Sequence, residues 1–207
     1  MKQKEYGIII NWNYIGVSVA ILAVFTLMVL YMPNFRDIDL NILNSVRHVL
    51  APYPSQIPAA VCAFGYANAM MWPQIAACCV LISHRHFLKA VLLPIFVYGS
   101  CYVCSWMKNS ICRERPDGAD YPGFSFPSCH AVILTAFLGI VIYLVQRYVR
   151  SKAWRITLTI LLGLWWFMVM LFRLWLGVHF LSDVIAGCAL GFIFVNLYII
   201  LIKSLGD

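Results

Sequence analysis

Three cations, two histidines, one serine and one carboxylate are the residues of this 207-residue sequence best placed to do chemistry together. Lys108 precedes Arg115-Pro116, Pro127-Ser128-Cys129-His130 follows, and Arg173, His179 and Asp183 complete the set. Arginine presents a planar donor fork that suits phosphate oxygens, and lysine adds a point charge. Three cations repel one another, so a pocket gathering Lys108, Arg115 and Arg173 calls for an anion. Ser128 stands behind Pro127 where a helix N-cap is expected, and backbone N–H groups at a helix start favour negative charge. His179 and Asp183 are spaced i, i+4, so one helical face carries both. A carboxylate there can hold one imidazole nitrogen and leave the other free to attack. His130 comes from a different segment and can protonate a leaving oxygen. Taken singly, each has a plainer reading: interfacial anchors for the cations, a structural hydrogen bond for His179–Asp183, and an interfacial histidine for His130.

The elements that must position these residues are membrane spans. The chain is 63% hydrophobic and only 11% charged, against about 25% charged in an ordinary soluble domain. So little charge cannot cover a water-soluble globule, which excludes a cytosolic enzyme, a disordered chain and a nucleic-acid-binding module. A helix needs about 20 apolar residues to cross the hydrocarbon core. Stretches poor in charge predict six spans, centred on Tyr14–Met32, Pro58–Leu81, Ala90–Met107, Ala131–Gln146, Ile156–Phe172 and Val184–Ile202. They consume most of the chain, so residues 1–207 form a single membrane-embedded domain. The expected fold class is all-α, a polytopic bundle of six transmembrane helices with both termini cytoplasmic. Pro58, Gly65, Asn68 and Pro73 predict a kinked second span. Lys2 and Lys4 before an apolar run resemble a signal peptide, but no small-residue cleavage site follows, so the run is read as a retained span.

The net charge of +7 invites a polyanion as partner, but the distribution of charge decides the matter. With the N-terminus inside, nine Lys and Arg and two acids fall on the cytoplasmic side, and six bases and six acids on the outer side. The excess follows the positive-inside pattern, strongest in the loop Arg147–Arg155. Trp12 and Trp154 on one side, with Trp106 and Trp175 on the other, suit interfacial belts. All seven chemical residues fall at the outer ends of spans. His84 and His86 fall at the opposite face as loop residues.

Phe35–Leu50 alternates apolar and polar residues, and reads either as an amphipathic helix on the outer face or as a cap packed over the bundle. Gly187-x-x-x-Gly191 permits close helix packing. Most of the eight cysteines lie in spans as small apolar residues. Cys101-x-x-Cys104 has a redox or metal spacing without a second pair. Cys112 and Cys129 fall on the outer side and could pair in an oxidising compartment.

The ordered motifs resemble those of the type-2 phosphatidic acid phosphatase superfamily, the lipid phosphate phosphatases related to vanadium haloperoxidases and bacterial acid phosphatases. The family signature is KxxxxxxRP, PSGH and SRxxxxxHxxxD. Lys108 through Arg115-Pro116 matches the first part in full. Pro127-Ser128-Cys129-His130, led by Phe124-Ser125-Phe126, matches the second. Phe172-Arg173, His179 and Asp183 match the third. The motifs occupy 108–183. The resemblance implies that His179 is the nucleophile forming a phosphohistidine, that Asp183 orients it, and that His130 is the general acid. It implies that Lys108, Arg115, Arg173, Ser128 and the Cys129 backbone bind phosphoryl oxygens, with no metal or other cofactor. Two departures stand out: Cys129 replaces a glycine and Phe172 replaces a serine. The implied protein is an integral membrane lipid phosphatase of a bacterial inner membrane, acting on the extracytoplasmic face. Its partners are the bilayer and a lipid phosphate such as undecaprenyl diphosphate, phosphatidic acid, phosphatidylglycerol phosphate or lipid A phosphate. Nucleic acid is not among them, and oligomeric state is left open. A lipid-to-lipid phosphotransferase and a non-catalytic anionic-lipid-binding protein are the alternatives.

Overall fold

The computed structural model describes residues 12–54, 56–63, 67–119 and 121–205. Lys2, Lys4, Glu5, Gly65, Asp120 and Asp207, used above for topology or the kink, lie outside the described residues. Eight helices follow in order: α1 (Trp12–Tyr31), α2 (Phe35–Leu50), α3 (Gln56–Ala63), α4 (Ala67–Ser83), α5 (Phe87–Ile111), α6 (Cys129–Tyr148), α7 (Lys152–Trp175) and α8 (Leu181–Ser204). No strand occurs among the described residues.

Five of these helices, α1, α5, α6, α7 and α8, are long and apolar enough to cross a membrane. They correspond to five of the six expected spans. Of the region Pro58–Leu81, the described residues form α3 and α4, each shorter than a spanning helix, and residues 64–66 between them lie outside the described residues. Pro73 lies inside α4, where it removes one backbone donor. The outward faces of α1 and α7 are apolar. Val17, Val24, Leu27 and Leu30 are exposed on α1, and Ile160, Leu161, Leu164 and Phe167 on α7. Apolar patches of that extent in a protein mark contact with lipid or another chain.

The inner pair is α6 and α8. A Cβ added at Gly187 would stand 2.7 Å from the carbonyl oxygen of Ser128, and one at Gly191 would stand 2.6 Å from that of Val132. Only hydrogen in place of a side chain lets α8 approach this closely, so the Gly187/Gly191 spacing is used for helix packing. The Ser128 N–H donates to the Asp183 carbonyl at 3.0 Å, locking the start of α6 to the first turn of α8.

Helix α2 caps one end of the bundle. Phe35, Asp39 and Leu43, at i, i+4 and i+8, are buried, while Ile38, Ile42 and Val49 are exposed. The capping reading therefore describes its inner face, and α2 packs on α7 and α8.

Candidate active site

The antiparallel order of α5 to α8 brings four helix ends together. Lys108 lies in the last turn of α5 and Arg173 in that of α7. Ser128 is the N-cap of α6, and Asp183 is in the first turn of α8. The alternation of spans thus places all seven candidate residues at one end. His84 and His86 line a separate cavity of about 530 Å³ between α4 and α6, beside Arg150.

Lys108, Arg115, Cys129, His130 and His179 line one cavity of about 500 Å³. The 112–128 connection shapes its rim. The Lys108 ammonium donates to the carbonyls of Phe124 at 2.7 Å and Ser125 at 3.0 Å. Arg115 donates to the carbonyls of Val178 at 2.7 Å and Gly123 at 3.0 Å. Its Nη1 also lies 3.4 Å from His179 Nε2. Gly123 is at φ +76°, a left-handed turn conformation that glycine adopts without strain. Arg173 is buried, and its Nε and Nη2 have no hydrogen-bond partner, nor has Ser128 Oγ. The Arg173 guanidinium stands 5.5 Å from the centre of the Tyr121 ring. Buried donors of this kind are costly without an acceptor, and a phosphate oxygen would be one.

Four acids on this end are paired: Asp39, Glu114, Asp117 and Asp183. Arg36 pairs with Asp117 at 3.0 Å and more distantly with Glu114 at 3.8 Å. Arg113 pairs with Asp39 at 2.9 Å and Asp183 at 2.7 Å. None of the ion pairs among the described residues joins Lys108, Arg115 or Arg173 to a carboxylate. The three cations singled out by spacing are therefore open to an anion.

His179 sits between α7 and α8, after a turn in which Gly177 has φ +67°. Its Nδ1 lies 3.5 Å from Asp183 Oδ2, longer than a formed hydrogen bond, as is common before substrate draws a site together. Asp183 Oδ2 accepts the Phe180 N–H at 2.9 Å. Its Oδ1 accepts Arg113 Nη1 at 2.7 Å. Arg113 Nη1 also donates to Ser182 Oγ at 2.6 Å, and its Nη2 to Asp39 Oδ2 at 2.9 Å. Ser182 Oγ and Asp39 Oδ2 share a short hydrogen bond. The sequence reading counted Arg113 and Asp39 only as outer loop charges and missed this network. A signal was present: Asp39 interrupts the apolar i, i+4, i+8 series of Phe35 and Leu43.

Burial, reinforced by Arg173, Lys108 and Arg115, pushes the His179 imidazole well below its ordinary range. A neutral ring is the form with a lone pair to attack. Burial and the neighbouring Arg173 also push Arg115 down, though guanidinium stays charged at neutral pH. The depressed His179 has a consequence for stability. The unfolded chain takes up this proton near pH 6.5 while the folded chain does not. Stability is full above that pH and falls as the pH drops below it, by up to about 1.4 kcal/mol per pH unit for one proton. The melting temperature of the solubilised protein is expected to fall from about pH 7.5 to about pH 5.5, and His179→Asn is expected to flatten that fall. An equal slope in both proteins would remove His179 as its source.

Cys129 and Phe172 occupy the positions that depart from the motif. Phe172 is buried, with its ring 5.6 Å from that of Trp175, and does not line the cavity. The Cys129 sulfur meets that of Cys104 at 3.0 Å, not Cys112. Cys112 instead ends α5 in a left-handed conformation, with its thiol on the Asn109 carbonyl at 3.1 Å. The Cys112–Cys129 pairing is therefore not supported, and all eight cysteines are free.

A model of the PAP2 superfamily matches residues 89–206, from the start of α5 through α8. The chain belongs to the PAP2 superfamily. This agrees with the three-part signature and assigns the chain to the type-2 phosphatidic acid phosphatases. A lipid A 4'-phosphatase of Bacteroides thetaiotaomicron is 27% identical over 176 residues, covering 75% of this chain and 72% of that protein. The crystal structure of a transmembrane PAP2-type phosphatidylglycerolphosphate phosphatase from Bacillus subtilis superposes with a TM-score of 0.82. It covers 92% of this chain and 98% of that one at 19% identity. That likeness shows a shared fold.

Proposed function

We propose that this PAP2 protein is a membrane lipid phosphatase working through a phosphohistidine. The observation that carries the reading is the course of the cavity. Cations and both histidines stand at one end, and it continues along α5 past Lys108 to Ser105 and Cys101, and along α6 to Ile133. Those residues lie within helices long enough to span a membrane. A phosphate at the cationic end thus leaves room for an apolar substituent toward the bilayer, which favours a lipid over a small soluble ester.

In this mechanism His179 Nε2 attacks phosphorus in line with the lipid oxygen. Asp183 holds Nδ1–H and stabilises the positive ring that forms. His130 donates a proton to the departing oxygen. Lys108, Arg115, Arg173, Ser128 Oγ and the N–H groups at the start of α6 bind the three equatorial oxygens as their charge rearranges. Water then attacks the phosphohistidine with His130 as base, releasing phosphate and restoring His179. The positive-inside distribution of charge supports a bacterial inner membrane location with the site on the extracytoplasmic face.

The relatives' names suggest lipid A 4'-phosphate and phosphatidylglycerol phosphate as first substrates to try. Undecaprenyl diphosphate and phosphatidic acid complete the panel. Phosphate release is measured with purified protein at equal surface concentration of each lipid in mixed micelles, beside p-nitrophenyl phosphate. At least one lipid is expected to exceed the soluble ester in kcat/KM by about tenfold or more, because binding of the tail contributes to the transition state. Failure to release phosphate from any lipid, or parity with the soluble ester, would defeat the reading.

A further inference from the structure

The Cys129 thiol stands where the family motif has glycine, so its side chain is an addition to an otherwise complete motif. It lines the phosphate cavity. Its sulfur lies 3.0 Å from that of Cys104, which is fully buried in α5. Cys104 Sγ also approaches the Pro127 carbonyl at 3.6 Å, just ahead of the motif serine. Cys101, three residues earlier on α5, contacts Cys129 and lines the same cavity. Lys108 follows Cys104 by four residues on that face of α5. A thiol reached through the cavity, with a second thiol immediately behind it, is the arrangement of a sensing and a resolving cysteine.

We propose that Cys129 and Cys104 form a dithiol modification site whose oxidation by a peroxide closes the phosphate site reversibly. The balance is complete in two steps. Hydrogen peroxide transfers one oxygen to Cys129 sulfur, giving the sulfenic acid and one water. Cys104 sulfur then attacks Cys129 sulfur, and the hydroxyl leaves with the Cys104 thiol proton as a second water. Two thiols lose two electrons and two protons in all, and the peroxide is reduced to two waters. Cys129 is the first residue of α6, between Ser128 and His130. Turning the sulfur contact into a bond draws this first turn toward α5 and displaces the helix start and His130 together. Misplacement of such groups by about 1 Å costs on the order of a hundredfold in rate. The effect on turnover rests on the phosphatase reading, whereas formation of the bond does not.

The test uses the full-length protein, reduced and then exposed to hydrogen peroxide. Remaining thiols are alkylated and the peptides mapped by mass. A Cys104–Cys129 linked peptide is expected, with phosphate release lowered about tenfold or more and restored by dithiothreitol. Cys104→Ala is expected to keep its reduced-state activity and to lose the dithiothreitol-reversible step. Cys104→Ser is the second variant, and the map of the unaltered chain does not depend on either. A different linked pair, no linked pair, or the same reversible loss in Cys104→Ala would overturn the proposal. A linked pair in a protein that releases no phosphate even when reduced would support the site and defeat the phosphatase reading.

Discussion

Replacing His179 by alanine is expected to lower phosphate release from the best lipid substrate by at least about 10⁴-fold, the scale seen when a nucleophile is removed from an enzyme. KM is expected to change little, because Lys108 and Arg115 stay anchored by the carbonyls of Phe124, Ser125, Gly123 and Val178 when the imidazole is removed. The variant is also expected to retain no label when the reaction with radiolabelled substrate is quenched, whereas the unaltered protein retains labelled phosphohistidine. His130 gives the contrast that separates the two roles. If it protonates the leaving oxygen, His130→Ala loses about 10²–10⁴-fold in the rate of phosphohistidine formation from a lipid alkoxide. In that same step it loses much less on p-nitrophenyl phosphate, whose leaving group needs no proton. His179→Ala is impaired equally on both substrates, since no leaving group replaces a nucleophile. Full activity of His179→Ala would end the phosphohistidine mechanism, and equal losses of His130→Ala in phosphohistidine formation from both substrates would remove His130 as the acid.

That these residues meet at one end was legible in the sequence because each placement depends on short spacings. His179 and Asp183 at i, i+4 must share a helical face, and Pro127-Ser128 reads as a helix start in any context. Charge-poor stretches also place Lys108, Ser128, Arg173 and Asp183 at span ends of the same side. The second expected span, Pro58–Leu81, is described only as α3 and α4, and residues 64–66 between them lie outside the described residues. The sulfur contact was not legible in the same way. Cys104 and Cys129 are 25 residues apart on two helices, and only their crossing shows that Cys104, not Cys112, is the neighbour. Arg113 was hidden by its neighbours: beside Glu114 and Arg115 it looks like one more loop charge. Its role depends on Asp39, 74 residues away on α2, and no local pattern reports a pairing at that distance.

That pairing carries the other large expected effect. Arg113 is a bridge between two buried carboxylates, one of which, Asp183, faces His179 Nδ1 at 3.5 Å. Arg113→Gln leaves both Asp39 and Asp183 without their cation, and breaking a buried pair in this way costs about 3–5 kcal/mol. It also frees Asp183 Oδ1, so that the carboxylate beside His179 is held only through the Phe180 N–H on Oδ2. The expected result is a lower melting temperature together with a fall in kcat of about a hundredfold, with KM nearly unchanged because Arg113 does not line the phosphate cavity. Arg113→Lys is expected to recover stability better than turnover, since one ammonium cannot reproduce a planar fork that reaches Asp183, Ser182 and Asp39 at once. The decisive comparison is the double variant Asp39→Asn, Arg113→Gln. Neutralising Asp39 removes one of the two stranded charges, so the melting temperature is expected to rise above that of Arg113→Gln alone. Asp183 still lacks its anchor, so kcat is expected to stay low. If kcat returned in step with the melting temperature, Arg113 would matter to the fold alone. If the two part company, the guanidinium positions Asp183 for catalysis, and α2 holds part of the site through a residue outside the three motifs.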